Sequence, residues 1–279
     1  MKQIKNAMTV DVEDYFQVSA FEPYIPRSNW DERECRVEAN THRLLDLYDK
    51  YNVKATFFTL AWVAERYPTL IYRIVKDGHE LASHGYDHVR ITMMESPDDF
   101  RADVVKAKAI LEDISGSEIK GYRAPSYSIT NENLWALDIL KETGHQYSSS
   151  IYPVKHDLYG IPDAPRFKYK PRGVDGITEV PITTLKMFHK NLPCGGGGFF
   201  RLYPYAFSRW SLNRVNTNDG EAGMFYFHPW EIDPDQPRIR DINLKTRFRH
   251  YLNLRKFHGR LEQLLKDFQW GRMDEIFLD

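Results

Sequence analysis

The chain has 279 residues, 42% hydrophobic and 14% aromatic, with two cysteines and a formal net charge of -1. That length suits one large domain or two small ones, with core enough to need no disulfide framework, and Cys35 and Cys194, in no CxxC pairing, fit reduced thiols. The balanced charge excludes a nucleic-acid binder, and with no signal-peptide core or apolar run of about 18 residues the expectation is a soluble, cytoplasmic protein without a transmembrane segment.

Short apolar runs alternate with helical patterns. Ala7–Val12 reads as a buried strand ending in the acidic cluster Asp11-Val12-Glu13-Asp14. Between Glu34 and Tyr51, the residues Val37, Leu44, Tyr48 and Tyr51 recur at helical spacing. Val53–Thr59, rich in β-branched and aromatic side chains, predicts a strand. Pro68 opens a helix that Gly78 ends, and Glu80–Ser83 is a short strand delivering His84. Ser96-Pro97-Asp98-Asp99 starts a helix bearing Phe100, Val104, Leu111 and Ile114, with Gly116 as its stop. Ile119–Tyr122 is a strand delivering Arg123. Thr130 caps another helix, with Leu134, Leu137 and Leu140, and Gln146–Ile151 reads as a strand.

Prolines and glycines then punctuate residues 152–176, so an irregular covering segment is expected from about 152 to 200. Tyr152, Tyr159, Phe167 and Tyr169 favour an ordered cover over a linker. Ile177–Thr183 predicts a strand. Gly195–Gly198 reads as a lid hinge in preference to a phosphate cradle, because no GKS or GxGxxG pattern follows. Gly223–Phe227 is a strand delivering His228, and one long C-terminal helix is expected at about 246–268. Seven predicted strands, mostly followed by helices or long connections, imply a single α/β domain over 1–279 with a parallel sheet.

Asp11, Glu13, His84, Arg123 and His228 all lie at or just beyond the C-terminal end of a predicted strand. In α/β barrels that is the face where active sites assemble. His84 and His88, four residues apart, can turn both imidazoles toward one point, and neutral imidazole is the commonest metal ligand. The pair alone is a weak signal. A catalytic zinc takes three protein ligands, so a carboxylate must come from elsewhere.

Five segments in order carry a more specific signal: Thr9-Val10-Asp11-Val12-Glu13-Asp14, His84 to His88, Arg123-Ala124-Pro125-Ser126-Tyr127, Tyr147-Ser148-Ser149-Ser150 and Phe227-His228-Pro229-Trp230-Glu231. Together they resemble the polysaccharide deacetylases of the NodB homology group, carbohydrate esterase family four. The DVEDYF opening, Gly195–Gly198 and the HPWE end look most like the branch found with exopolysaccharide and exosortase loci. The resemblance implies a distorted (β/α)7 barrel with loop insertions over its C-terminal face. It also implies metal-dependent removal of N-acetyl groups from hexosamine units of an N-acetylated oligo- or polysaccharide. One divalent metal is implied, zinc by default, with cobalt, manganese or nickel also suited to two imidazoles and a carboxylate.

By the same resemblance, His84 and His88 are metal ligands and Asp11 is the general base. Arg123 holds that base, and His228 gives a proton to the departing amine. Pro125, Ser126, Tyr127, Trp230 and Glu231 are candidate substrate-binding residues, with a backbone N–H near Ser126 or Tyr127 for the oxyanion. The first motif departs from the commoner TFDDG, because Val12 takes the place of the second aspartate. The carboxylate ligand then falls on Glu13, which shares a side of the strand with Asp11, or alternatively on Asp14. Ser148 stands where an aspartate often tunes the acid histidine, so another acid must substitute or His228 is tuned less. Trp230 and Glu231 either bind sugar or fix their loop. An amidase acting on a cyclic imide or ureide, and a non-catalytic sugar-binding protein of the same fold, are the rival readings.

Overall fold

The computed structural model describes residues 4–156 and 159–278. The first three residues of the N-terminal stretch, and two within the covering segment, lie outside the described residues.

Eight parallel strands form one curled sheet. Its order is β10 (Gln269–Gly271), β1 (Lys5–Val12), β2 (Thr56–Thr59), β3 (Glu80–Ser83), β4 (Gly121–Tyr122), β5 (Tyr147–Ser148) and β6 (Thr178–Glu179), with β9 (Met224–Phe227) also on β1. β1 is the central stave. It pairs β10 through Lys5–Ala7, β9 through Ala7–Val10 and β2 through Thr9–Val12. Its run Asn6–Val12 is buried throughout, so both faces of the strand lie inside the fold.

The helices between strands begin and end where local chemistry dictates. In α4 (Pro97–Ser115) the Ser96 hydroxyl accepts the Asp99 N–H, and Gly116 closes the helix at φ 64°. Helix α1 (Val37–Lys50) has no cap from its own neighbour. Instead the Asp14 carboxylate reaches across from the end of β1 to the N–H groups of Arg36 and Val37, at 2.6 and 2.8 Å.

Several expectations need correction. The helix expected at 246–268 is two helices, α8 (Leu244–Tyr251) and α9 (Leu254–Asp267). Asn253 between them lies in the left-handed region at φ 53°, which no continuous helix tolerates. Thr130 does not cap α5 (Trp135–Glu142), which begins five residues later. The irregular cover expected to about residue 200 holds, besides the expected strand β6, an antiparallel hairpin, β7 (Thr184–Met187) with β8 (Lys190–Pro193).

The four-glycine run is not a hinge. Gly195 N–H donates to Thr183 O at 3.1 Å, its carbonyl accepts from Tyr226 N–H at 2.8 Å, and Gly196 bridges β9 in parallel. A Cβ on Gly195 would stand 2.6 Å from Met224 O, one on Gly196 2.6 Å from the Tyr226 ring, and one on Gly197 2.3 Å from the Glu231 carboxylate. These three glycines let the chain pass against β9 and the loop after it, in the gap between β6 and β9. Gly198 meets nothing within 4 Å.

Candidate functional site

β1, β3 and β9 end together, and so do the side chains they deliver. Just past β1, Glu13 lies with His84 and His88 in a buried group whose ligand atoms are all within 4.8 Å of one another. The two histidines meet on a tight loop. Gly85 takes φ 77° and His88 φ 62°, which brings the imidazole centroids to 5.3 Å. A left-handed histidine is costly backbone, of the kind that persists where a site requires it.

The donor set fits a divalent metal. His84 Nδ1 donates to the Arg123 carbonyl at 2.7 Å, which leaves Nε2 for the cluster. Burial, against the pull of Asp11, lowers the His84 pKa to about 4, so the ring is neutral and able to ligate. Burial alone would raise Glu13. The facing His88 and His228 imidazoles more than offset that and hold it down at about 2, so it is anionic. His88 Nε2 stands 2.9 Å from Glu13 Oε2, yet Oε2 has no hydrogen-bond donor, an arrangement that suits co-ligands better than a paired donor and acceptor. One carboxylate and two imidazoles are a zinc-type set with room for water, and cobalt, manganese or nickel would accept it too.

Asp14, the alternative ligand, is outside this group. Its oxygens accept N–H bonds from Tyr15, Arg36 and Val37, and it serves as the remote cap of α1.

Asp11 lies beside the cluster. Arg123, fully buried, donates to Asp11 Oδ1 at 2.5 Å and to Thr9 Oγ1 at 2.9 Å. The guanidinium is fixed on its other edge by Ser149, through the carbonyl at 3.2 Å and the hydroxyl at 3.1 Å. Burial disfavours its charge, but Asp11 outweighs that and its pKa is raised. Arg123 thus positions Asp11 without reaching solvent.

His228 closes the group from β9. Its Nε2 is 3.3 Å from Glu13 Oε1 and 4.0 Å from Asp11 Oδ2, and its Nδ1 donates to Glu231 Oε1 at 2.8 Å. Burial would lower its pKa, but Glu13 and Glu231 outweigh burial and raise it to about 9. The acid missing at Ser148 is therefore supplied by Glu231, three residues along the same turn. Glu231 is itself held by Arg201 at 2.9 Å. Trp230 stacks on His228 at 5.2 Å between centroids. Trp230 and Glu231 are only 5% and 1% exposed and lie against His228, as residues that fix their loop would.

Pro125, Ser126 and Tyr127 form a single turn with Ser126 and Tyr127 both at φ 53°. Tyr127 N–H already donates to Ala124 O at 3.0 Å, which leaves the Ser126 N–H as the oxyanion candidate. Ser126 Oγ meets Ser19 Oγ at 2.5 Å. Ser19 belongs to a cleft of 190 Å³ that opens beside His88, walled by Phe16, Gln17, Ile25, Arg27 and Trp30. Sequence reasoning missed Arg201, Ser19 and this wall. Arg201 follows the glycine run without a motif, and the Phe16–Trp30 stretch has no helical or strand period to announce it.

A family model described as polysaccharide deacetylase matches residues 29–148, and a second, described as a domain of unknown function, matches 149–278. The boundary falls inside the serine run after β5, while the sheet and the residues around His84 and His228 draw on both sides of it. Over 99 residues the chain is 34% identical to the peptidoglycan-N-acetylglucosamine deacetylase of Bacillus cereus, covering 35% of this chain and 36% of that protein. The peptidoglycan deacetylase of Helicobacter pylori is 32% identical over 118 residues, 41% of this chain and 38% of that one. The chain thus spans about a third of the length of these relatives. A solved structure from Mycobacterium smegmatis, assigned to the polysaccharide deacetylases, superposes with a TM-score of 0.60 at 20% identity, covering 99% and 90% of the two chains. It shows the shared fold.

Proposed function

We propose that this chain, whose residues 29–148 match the polysaccharide deacetylase family model, is a metal-dependent hydrolase that removes N-acetyl groups from N-acetylhexosamine units of an exopolysaccharide or its precursor. One observation carries the reading. A buried anionic carboxylate, two imidazoles, an arginine-held aspartate and a charged histidine converge at one end of the sheet. The names of the relatives support the coarser statement, a deacetylase of N-acetylated polysaccharide. The exopolysaccharide assignment is supported by the DVEDYF, glycine-run and HPWE details of the sequence.

Glu13, His84 and His88 would hold the divalent ion, which when bound polarises an amide carbonyl and eases deprotonation of water. The rest of the work falls to the protein. Asp11 takes the proton of the attacking water at its free oxygen, while Arg123 holds the other oxygen in place. The Ser126 N–H is positioned for the developing oxyanion. His228 gives a proton from Nε2 to the departing amine nitrogen, and Glu231 keeps the ring turned by its bond to Nδ1. The products are acetate and a free amino sugar.

Elemental mass spectrometry on tag-free protein, wild type and His84→Ala, tests the site, and acetate release from N-acetylated oligosaccharides tests the reaction. About one metal per chain, lost in the variant, together with acetate release is the expected result. Metal-free wild type after zinc is supplied, or ring opening of a cyclic ureide in place of acetate release, overturns the reading.

A further inference from the structure

Between Arg238 and Arg260 the chain carries eight lysines and arginines against a single acid, Asp241, although its formal net charge is -1. The centre of this stretch is α8. Leu244 and Phe248, one helical turn apart and so on one side, are 82% and 58% exposed. Lys245, Arg247 and Arg249 are exposed around them, and among the described residues none of the three makes an ion pair.

The helix is held firmly from beneath. Asn243 caps it by accepting the Thr246 N–H at 2.8 Å and donates to the Tyr24 hydroxyl at 2.9 Å. On its inner side, buried His250 stacks on Trp230 at 4.2 Å, and Trp230 stacks on His228. Eight residues would not be helical alone in water, so these contacts preform a rigid outer face. That face presents two large apolar side chains ringed by unpaired cations, one layer of rings away from His228.

We propose that α8 is a docking helix for an anionic membrane surface, and that it sets the His228 side of the site at that surface. The combination selects the partner. A soluble polyanion would satisfy the lysine and arginines and leave Leu244 and Phe248 in water. A purely apolar protein groove would bury the pair and strip the cations of solvent. The interface of an anionic bilayer takes both, the apolar pair at the acyl boundary and the cations among the headgroups.

The test is co-sedimentation of the full chain with phosphatidylglycerol–phosphatidylcholine vesicles, and with phosphatidylcholine vesicles alone, at low and high salt. Binding to the anionic vesicles, weakened by salt, is the expected result. Lys245→Glu with Arg249→Glu, and separately Leu244→Ser with Phe248→Ser, should each lower affinity by about tenfold or more. All four positions are exposed, so unchanged melting temperatures show that the variants fold. No binding to anionic vesicles overturns the proposal. So does binding that survives the serine pair and is matched by dextran sulfate, which would make the patch a polyanion site. The measurement needs no turnover, so an inactive chain that still docks would sink the deacetylase reading and leave this one standing.

Discussion

The short strand β3 has a buried carboxylate at one end and the functional site at the other. Glu80 opens the strand, and His84, just past its end, faces Glu13. Both Glu80 and Glu13 are buried, at 7% and 2% exposure, so water is withheld from each in much the same way. Their titration differs because their partners differ. Burial and then the Asp274 carboxylate push Glu80 up to about 7, against bonds from the Thr56 and Tyr147 hydroxyls at 2.5 and 2.8 Å. Glu13 faces two imidazoles and stays at about 2. Neutral donors suit a structural acid; cationic or metal-ready partners keep an acid charged for chemistry.

The sharpest way to probe that contrast is Asp11→Asn. It keeps the shape of the site and removes the proton acceptor, so kcat should fall by about 10²–10⁴-fold in an acetate-release assay. Arg123, fully buried, also loses its counter-charge, and urea unfolding should show a loss of about 3–5 kcal/mol. Adding Arg123→Met should recover much of the stability and none of the turnover. Turnover that survives Asp11→Asn would remove the functional end of the comparison.

Glu231→Gln should have a smaller effect. Glu231 does not touch the three ligand residues' cluster as a member; it holds His228 Nδ1 and Arg201. A drop of about 10–100-fold in kcat with metal content unchanged is the expected signature of a positioning residue. The stability cost should stay below that of Asp11→Asn, because Arg201 keeps the carbonyls of Arg249, His250 and Leu252 at 2.7–3.1 Å. Unchanged turnover would leave Glu231 as a structural brace only.

How much of this was legible in the sequence follows from how local each signal is. The boundaries of α4 could be read because Ser96 and Gly116 act on their own helix ends. The clustering of Asp11, Glu13, His84, Arg123 and His228 could be read because each lies at or just past the end of a strand, and strand ends in a parallel sheet converge. What could not be read is whatever is decided at long range. Asp14 caps a helix 22 residues away, and Arg201 meets Glu231 across 30. The glycine run looked flexible because glycine alone is ambiguous, and only the Tyr226 ring and Glu231 carboxylate against it show that it is packed. β4 and β5 are two residues long where longer runs were expected, and the residues just past them, Arg123 and Ser149, bond to one another instead of extending the ladder.

The smallest effect on catalysis, and the clearest on stability, should come from the other end of β3. An unfolded glutamate titrates near 4.5 and folded Glu80 near 7. Below pH 4.5 both states hold the proton, and the contribution of Glu80 to stability is fully present. Between those values the unfolded chain releases the proton while the folded chain keeps it. Stability therefore falls as pH rises through 7, by on the order of 3 kcal/mol. Glu80→Gln stays neutral throughout. Its carbonyl can accept from Thr56 and from the Asp274 N–H, at 2.5 and 3.1 Å from Oε2 in the wild type, and its amide can donate to the Tyr147 hydroxyl once that rotates. Urea unfolding should find the two proteins alike at pH 4 and the variant more stable at pH 8, with turnover and metal content unchanged. A variant weakened equally at both values would mean that the carboxyl is needed for its geometry rather than tolerated in its neutral form. The two ends of β3 would then differ in position but not in electrostatic kind.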